Sequence, residues 1–131
     1  MKKETAYFVV NSLTMARASS GLGTVIAAVA GEPITATAIW FAGWPTELDG
    51  TVARHLKVNS SLGELRDSLA DLAHSPAGAL SLAIFGHNHN ASPEYIYGWI
   101  ALAAFVCLIH GVRVKKAWPA LAAAKINSPN P

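Results

Sequence analysis

The sequence predicts an all-α integral membrane bundle of about four transmembrane helices, with both termini on the cytoplasmic side of a cell membrane. Three observations predict it: a charge-poor composition, four apolar segments, and the placement of the positive residues. Of 131 residues, 52% are hydrophobic and only 14% are charged, whereas a soluble domain carries about 25% charged residues. The mean hydropathy is +0.32. A surface largely covered by lipid explains this composition.

The apolar segments lie at residues 13–30, 34–44, 77–85 and 95–112. A spanning helix needs roughly 20 residues, and only the first and last segments approach that length. The two middle segments reach it when polar residues between them are included, at about 34–54 and 62–85. Hydropathy alone therefore separates two long spans from two that depend on their polar flanks.

The ten lysines and arginines favour four spans over two. They fall at the N-terminal end, between the second and third segments, and at the C-terminal end. The turn at residues 31–33 and the loop at residues 86–94 contain none. Because cytoplasmic regions carry an excess of lysine and arginine, this distribution predicts four helices with both termini inside.

Turn-forming residues mark the segment borders. Gly31 and Pro33 stop the first helix, and Pro93 after Ser92 suits the first position of the last helix. Residues 1–117 are expected to form one membrane domain, and residues 118–131 a short interfacial or disordered tail. A net charge of +2 is too small for a nucleic-acid-binding surface, so no nucleic-acid partner is predicted.

Three aspartates stand beside these membrane segments: Asp49, Asp67 and Asp71. Positions 46 and 49 are three apart and positions 67 and 71 are four apart, so each pair occupies one face of a helix. Two antiparallel helices joined by a short loop bring these faces together. An unpaired charge at membrane depth costs at least about 2.5 kcal/mol. A hard divalent cation removes that cost and favours carboxylate oxygens, so all three acids are candidate ligands for Mg²⁺ or Mn²⁺.

The alternative is internal salt bridging, in which Arg17, Arg54 or Arg66 neutralises the acids. It leaves unexplained the small residues among the acids, which are Gly50, Ala53 and Gly63. Space beside a carboxylate indicates a ligand that approaches the backbone.

The spacing of these residues resembles the motif of the CDP-alcohol phosphatidyltransferase family, D-x2-D-G-x2-A-R-x8-G-x3-D-x3-D. This chain reads T-E-L-D-G-T-V-A-R over residues 46–54 and G-E-L-R-D-S-L-A-D over residues 63–71. Seven of the eight specified positions agree and every spacing is kept. Upstream, N-S-L-T-M-A-R at residues 11–17 is similar to the N-x-x-T-x-x-R that often opens the first helix of this family.

The resemblance implies a reaction and its partners. Family members move a phosphatidyl-type group from a CDP-linked lipid, usually CDP-diacylglycerol, to an alcohol acceptor and release CMP. Divalent cations neutralise the pyrophosphate and polarise the phosphorus under attack. The chain is therefore expected to be a membrane-embedded transferase of phospholipid biosynthesis that uses Mg²⁺ or Mn²⁺, with an acceptor that the sequence does not identify.

The resemblance also implies roles for individual residues. Asp49 and Asp67 correspond to metal ligands, and Asp71 corresponds to the general base. The residues expected to border the cytidine diphosphate are Gly50, Ala53, Arg54 and Gly63. Arg17 is expected to contact phosphate oxygens. The same role is expected of Arg113, for which the resemblance gives less support.

Two departures from the family pattern bear on activity. Thr46 stands where the first motif aspartate belongs, and a neutral hydroxyl is a poor ligand for Mg²⁺. Glu47 lies about 100° further around a helix and replaces it only if Pro45 distorts the backbone. Family members usually have six helices, and four are predicted here. The alternative function is therefore a truncated, weakly active or inactive relative that binds lipid or nucleotide or acts in assembly.

Weaker signals receive structural interpretations. His87 and His89 are assigned to a polar turn. His74 lies three residues after the last motif aspartate, and a packing role is favoured for it over proton transfer. His110 and His55 lack a partner set that signals catalysis. By analogy with the family, which commonly forms homodimers, a small-residue face is available for pairing; its residues are Gly21, Gly23 and Ala27.

Overall fold

The computed structural model describes residues 2–58 and 60–126, without the side chains of residues 47, 61, 117 and 120–126. The described chain is all-helical, which confirms the predicted all-α class. The elements in chain order are α1 (Lys3–Val29), α2 (Pro33–Gly43), a 3-10 segment (Trp44–Leu48), α3 (Asp49–His55), α4 (Ser61–Asn88) and α5 (Pro93–Ile126).

The predicted turn between the first two helices is present. Gly31 has a φ of +80°, a left-handed conformation that glycine adopts without the steric cost of a side chain. The backbone N–H of Glu32 donates to the carbonyl of Ala27 over 2.9 Å, and α2 begins at Pro33. These contacts reverse the chain so that α2 packs back against α1.

The predicted second span, at about residues 34–54, consists of three consecutive helical elements: α2, the 3-10 segment and α3. Pro45 has no N–H to donate, and around it the chain tightens from α2 into the 3-10 segment before α3 begins at Asp49. The break changes the side-chain directions at positions 46 and 49, which a continuous helix would have placed on one face.

The two long C-terminal helices have clear start signals. Ser60 caps α4 by accepting the backbone N–H of Gly63 over 3.1 Å. Ser92 accepts from the N–H of Tyr95 over 3.4 Å as α5 begins at Pro93. Only residues 89–92 separate the two helices, so they run antiparallel and pack along one another.

Helices α1 and α4 approach each other closely at Gly21. A Cβ placed on Gly21 would lie 2.6 Å from the Cα of His74 and would also overlap the carbonyl of Ala73. Neither backbone group can rotate away. The absence of a side chain at residue 21 therefore sets the spacing of α1 and α4, and with it the spacing of the polar groups that these helices carry further along.

Gly21→Ala is expected to destabilise the fold by about 1–3 kcal/mol, the usual cost of forcing extra atoms into a packed interface. Thermal unfolding in detergent measures the change. Gly111→Ala is the matched control, since a Cβ there meets nothing within 4 Å; it should leave the unfolding temperature unchanged or raise it slightly. Equal unfolding temperatures for the two variants would contradict this packing.

One helix in the described ranges is long and apolar enough to cross a membrane on length and composition: Pro93–Lys116, 24 residues within α5. The small-residue face was wrongly predicted to be exposed, because Gly21 and Ala27 are buried between the helices of the chain; the homodimer stays a prediction. The domain boundary predicted at residue 117 falls within α5 and stays a prediction.

Candidate active site

The guanidinium of Arg17 lies at the centre of the three aspartates. Arg17, on α1, is only 2% exposed. Its Nη2 is 2.7 Å from Oδ1 of Asp49, and its Nη1 is 2.9 Å from Oδ1 of Asp67 and 2.5 Å from Oδ1 of Asp71. Nη2 also donates to the carbonyl of Thr46. One cation thus holds together acids from α3 and α4.

Asp49 is the most buried of the three acids, at 1% exposure, and begins α3. Its Oδ2 accepts a 2.6 Å hydrogen bond from the Thr14 hydroxyl, and its Oδ1 accepts from the N–H of Gly50 over 2.7 Å. With Arg17 on the same oxygen, these donors fix the direction of the carboxylate.

The first-helix motif at residues 11–17 has a geometric explanation. Asn11, Thr14 and Arg17 are spaced by three, so they share a face of α1. Asn11 accepts from Arg66 on α4 over 3.2 Å, while the other two bind the acids. This face of α1 therefore links α3 and α4.

Asp67 and Asp71 lie one turn apart on α4, with side-chain exposures of 36% and 18%. Oδ2 of Asp71 faces α5, where Nδ1 of His110 is 3.7 Å away and Nη1 of Arg113 is 3.8 Å away. The sequence interpretation gave His110 no role. The signal it had was the spacing of His110 and Arg113, three apart on the end of α5 that faces the motif.

Thr46 does not act as a side-chain member of the cluster. Its hydroxyl donates to the carbonyl of Gly43, the last residue of α2, and its own carbonyl accepts from Arg17 and from the backbone N–H of Asp49. The position takes part through its backbone. The predicted rescue by Glu47 concerns a side chain outside the described residues.

A cavity of about 220 Å³ opens beside the cluster. Four residues predicted to border a cytidine diphosphate line it together with Asp49 and Asp67; they are Gly50, Ala53, Arg54 and Gly63. A Cβ on Gly50 would point to Oδ2 of Asp67 at 3.5 Å and to Nη1 of Arg54 at 3.8 Å. Arg17 and Asp71 lie behind this wall and do not line the cavity.

Arg17 was predicted to meet phosphate oxygens, and Arg113 likewise. Both terminal nitrogens of Arg17 bind the acids. Its Nε is buried and without a hydrogen bond among the described residues. Arg113 is 61% exposed on the opposite side of Asp71. The phosphate role stays a prediction for both residues.

Of the three clustered carboxylates, only those that border the cavity are placed to bind a cation. Within residues 2–58 and 60–126, no group of three or more His, Cys, Asp or Glu side chains is arranged to hold a metal ion, because the nitrogens of Arg17 lie among the carboxylates. One guanidinium against three carboxylates leaves a formal excess of two negative charges. Asp49 and Asp67 border the cavity, and their oxygens suit one hard divalent cation.

Two other histidines, His74 and His89, contact neighbouring groups of the fold. His74 is 1% exposed; its Nδ1 is 3.0 Å from the Ser20 hydroxyl, and its ring stacks on Trp40 with centroids 6.0 Å apart. His89 interacts through Nδ1 with the carbonyl of Phe85 at 2.9 Å, at the end of α4 remote from the acids.

Comparison with known proteins agrees with the motif. The family model described as CDP-alcohol phosphatidyltransferase matches residues 7–128. No curated protein and no solved structure matches the chain.

Proposed function

The chain belongs to the CDP-alcohol phosphatidyltransferase family, and we propose that it moves a phosphatidyl-type group from CDP-diacylglycerol, or a similar CDP-linked lipid, to an alcohol with release of CMP. One observation carries the proposal. The acids of the family motif converge beside a cavity that the small residues of the same motif line.

The cavity on the α3 side is the proposed site of the cytidine diphosphate. Gly50 and Gly63 leave its wall open, and Arg54 supplies a positive charge at the edge. Arg54 is held by a 3.2 Å hydrogen bond from its Nη2 to the Thr51 hydroxyl, which keeps the guanidinium near the cavity. A pyrophosphate placed here would lie against Asp49 and Asp67, where like charges repel unless a cation intervenes.

A divalent cation, on which this family generally depends, is proposed to bind Asp49 and Asp67. When bound it would neutralise the pyrophosphate and polarise the phosphorus under attack. Arg17 holds both carboxylates in place from behind, and Thr14 orients Asp49. The mutual repulsion of the acids is thereby reduced before any substrate arrives.

Asp71 is the proposed general base. The acceptor hydroxyl gives its proton to Asp71, and its oxygen forms a bond to the lipid-side phosphorus. The bond between that phosphorus and the bridging oxygen breaks, and the electron pair leaves with CMP. Because Asp71 lies away from the cavity and towards α5, the acceptor is proposed to approach from the α5 side, opposite the nucleotide.

The proposed setting is a multi-pass protein of the cell membrane with the site facing the cytoplasm. The distribution of lysine and arginine supports this orientation. The apolar span within α5 supports a membrane location.

The direct test is release of CMP from CDP-diacylglycerol by protein in lipid nanodiscs, with a panel of alcohols that includes glycerol phosphate, serine and inositol phosphate. Release that needs both an acceptor and Mg²⁺ or Mn²⁺ supports the transferase. No release with any acceptor or metal would overturn it.

Thr46→Asp is expected to raise metal-dependent CMP release by about tenfold or more, equivalent to about 1.4 kcal/mol of barrier. Residue 46 meets Arg17 through its carbonyl, so a carboxylate at this position adds negative charge near the cluster once its side chain turns away from Gly43. Thr46→Asn is the control, since asparagine has the same shape as aspartate but carries no charge. Equal rates for the two variants would show that charge at this position is irrelevant.

A second function, nucleotide or lipid binding without turnover, is favoured by one observation. Arg17 pairs with all three acids, so the cluster has structural counter-charge already. Under this alternative, CDP binds to wild type and to Thr46→Asp, and neither releases CMP.

A further inference from the structure

Helix α5 brings two side chains to Asp71 that lie outside the acidic motif. His110 is 13% exposed and its Nδ1 is 3.7 Å from Oδ2 of Asp71; Arg113 is 61% exposed and its Nη1 is 3.8 Å from the same oxygen. The two residues are three apart and share a face of α5. Helix α5, which carries no residue of the acidic motif, thus also borders the Asp71 carboxylate.

The two oxygens of Asp71 have different surroundings. Oδ1 is bound to Arg17 at 2.5 Å, so this oxygen is committed to the cluster. Oδ2 is the oxygen that remains to receive a proton. Whatever fixes the direction of Oδ2 therefore decides where an acceptor hydroxyl must lie.

Nδ1 of His110 is the group best placed to do this. It is buried and has no hydrogen bond among the described residues. A buried donor or acceptor without a partner is unfavourable, and Oδ2 of Asp71 is the nearby acceptor. The separation of 3.7 Å exceeds a hydrogen bond, but catalytic hydrogen bonds are often long before substrate binds and shorten afterwards.

We infer that His110 is a positioning residue for Asp71: its Nδ1–H donates to Oδ2 and holds the carboxylate in one rotation, with a lone pair of Oδ2 left for the acceptor. The inference rests on the proposed function. Arg113 is a poorer candidate because its side chain is mostly exposed, and an exposed arginine fixes geometry weakly. The same contact ties α5 to α4 beside the reacting group.

Kinetics of three substitutions separate positioning from packing. His110→Ala should lower kcat by about 10–100-fold, as loss of an orienting partner typically does, with KM for CDP-diacylglycerol nearly unchanged. His110→Asn places an amide N–H close to the former Nδ1 and should recover most of the rate. His110→Gln places its amide near the former Nε2 and should be as slow as alanine. Leu108→Ala, an exposed neighbour on α5, is the control and should match wild type.

A second measurement needs no turnover. In protein labelled with ¹⁵N-histidine, the His110 signal, identified by its loss in His110→Asn, should show a proton on Nδ1. In Asp71→Ala the proton should move to Nε2. If wild type releases no CMP, the proposed function fails, and the spectrum still decides whether His110 donates to Asp71.

Three results would overturn the inference: a His110 signal with Nδ1 unprotonated, a signal that Asp71→Ala does not change, or His110→Asn as slow as His110→Ala in an active enzyme. The inference is supported if His110→Asn recovers the rate and His110→Gln does not, and if the Nδ1 proton of His110 moves in Asp71→Ala.

Discussion

Asp71→Asn is expected to lower CMP release by about 10²–10⁴-fold, the usual contribution of a general base. Asparagine keeps the shape of the side chain and can still accept from Arg17 at Oδ1, but its amide takes no proton at neutral pH. Removing one negative charge from a crowded cluster should leave the fold intact. The measurement is kcat for CMP release, with thermal unfolding to check folding.

Glu32→Gln is the control for Asp71→Asn. Glu32 is an exposed acid at the turn before α2 and does not line the cavity, and its loss changes the net charge equally. Its rate should stay near that of wild type. A rate for Asp71→Asn within a few-fold of Glu32→Gln would exclude Asp71 as the base.

Arg17→Met is expected to destabilise the protein by about 3–5 kcal/mol, the range measured when one partner of a buried ion pair is removed. Methionine fills much of the volume but leaves three carboxylates without their shared cation. Both the guanidinium and the Asp49 carboxylate are almost completely buried, so water cannot compensate. Thermal unfolding in detergent measures the loss.

Two further variants sharpen the test of Arg17. Arg66→Met is the control, because Arg66 is exposed and makes one 3.2 Å hydrogen bond to Asn11; it should cost less than about 1 kcal/mol. Arg17→Lys keeps the charge but loses the planar fork that reaches several oxygens, so its stability should lie between wild type and Arg17→Met. Equal unfolding temperatures for Arg17→Met and Arg66→Met would refute a central role for this cation.

The sequence predicted those parts of the site that depend on local spacing. The acids at residues 67 and 71 share a face because both lie in one regular helix. The small motif residues beside Asp49 and before Asp67 line one cavity with those two acids. The start of α5 at Pro93 and the turn at Gly31 followed from the conformational limits of proline and glycine.

Long-range partners were beyond the sequence. Spacing does not specify which helix lies beside which acid, so the three-residue spacing of His110 and Arg113 could not show that both lie near Asp71. The central place of Arg17 depends on the close approach of α1 and α4 at Gly21, which is a tertiary feature. The 3-10 segment at Pro45 turned the hydroxyl of Thr46 to Gly43, whereas the sequence interpretation compared Thr46 with a metal ligand on a regular helix.

The central claim is that acids from α3 and α4 form one cation site at the nucleotide cavity, and Mn²⁺ binding in the presence of CDP tests it most directly. Paramagnetic resonance of protein in nanodiscs counts bound Mn²⁺ during a titration. Wild type should bind saturably, Asp67→Asn should bind at least about tenfold more weakly, and Glu32→Gln, at the turn before α2, should match wild type. An affinity in Asp67→Asn equal to that of wild type would contradict the account.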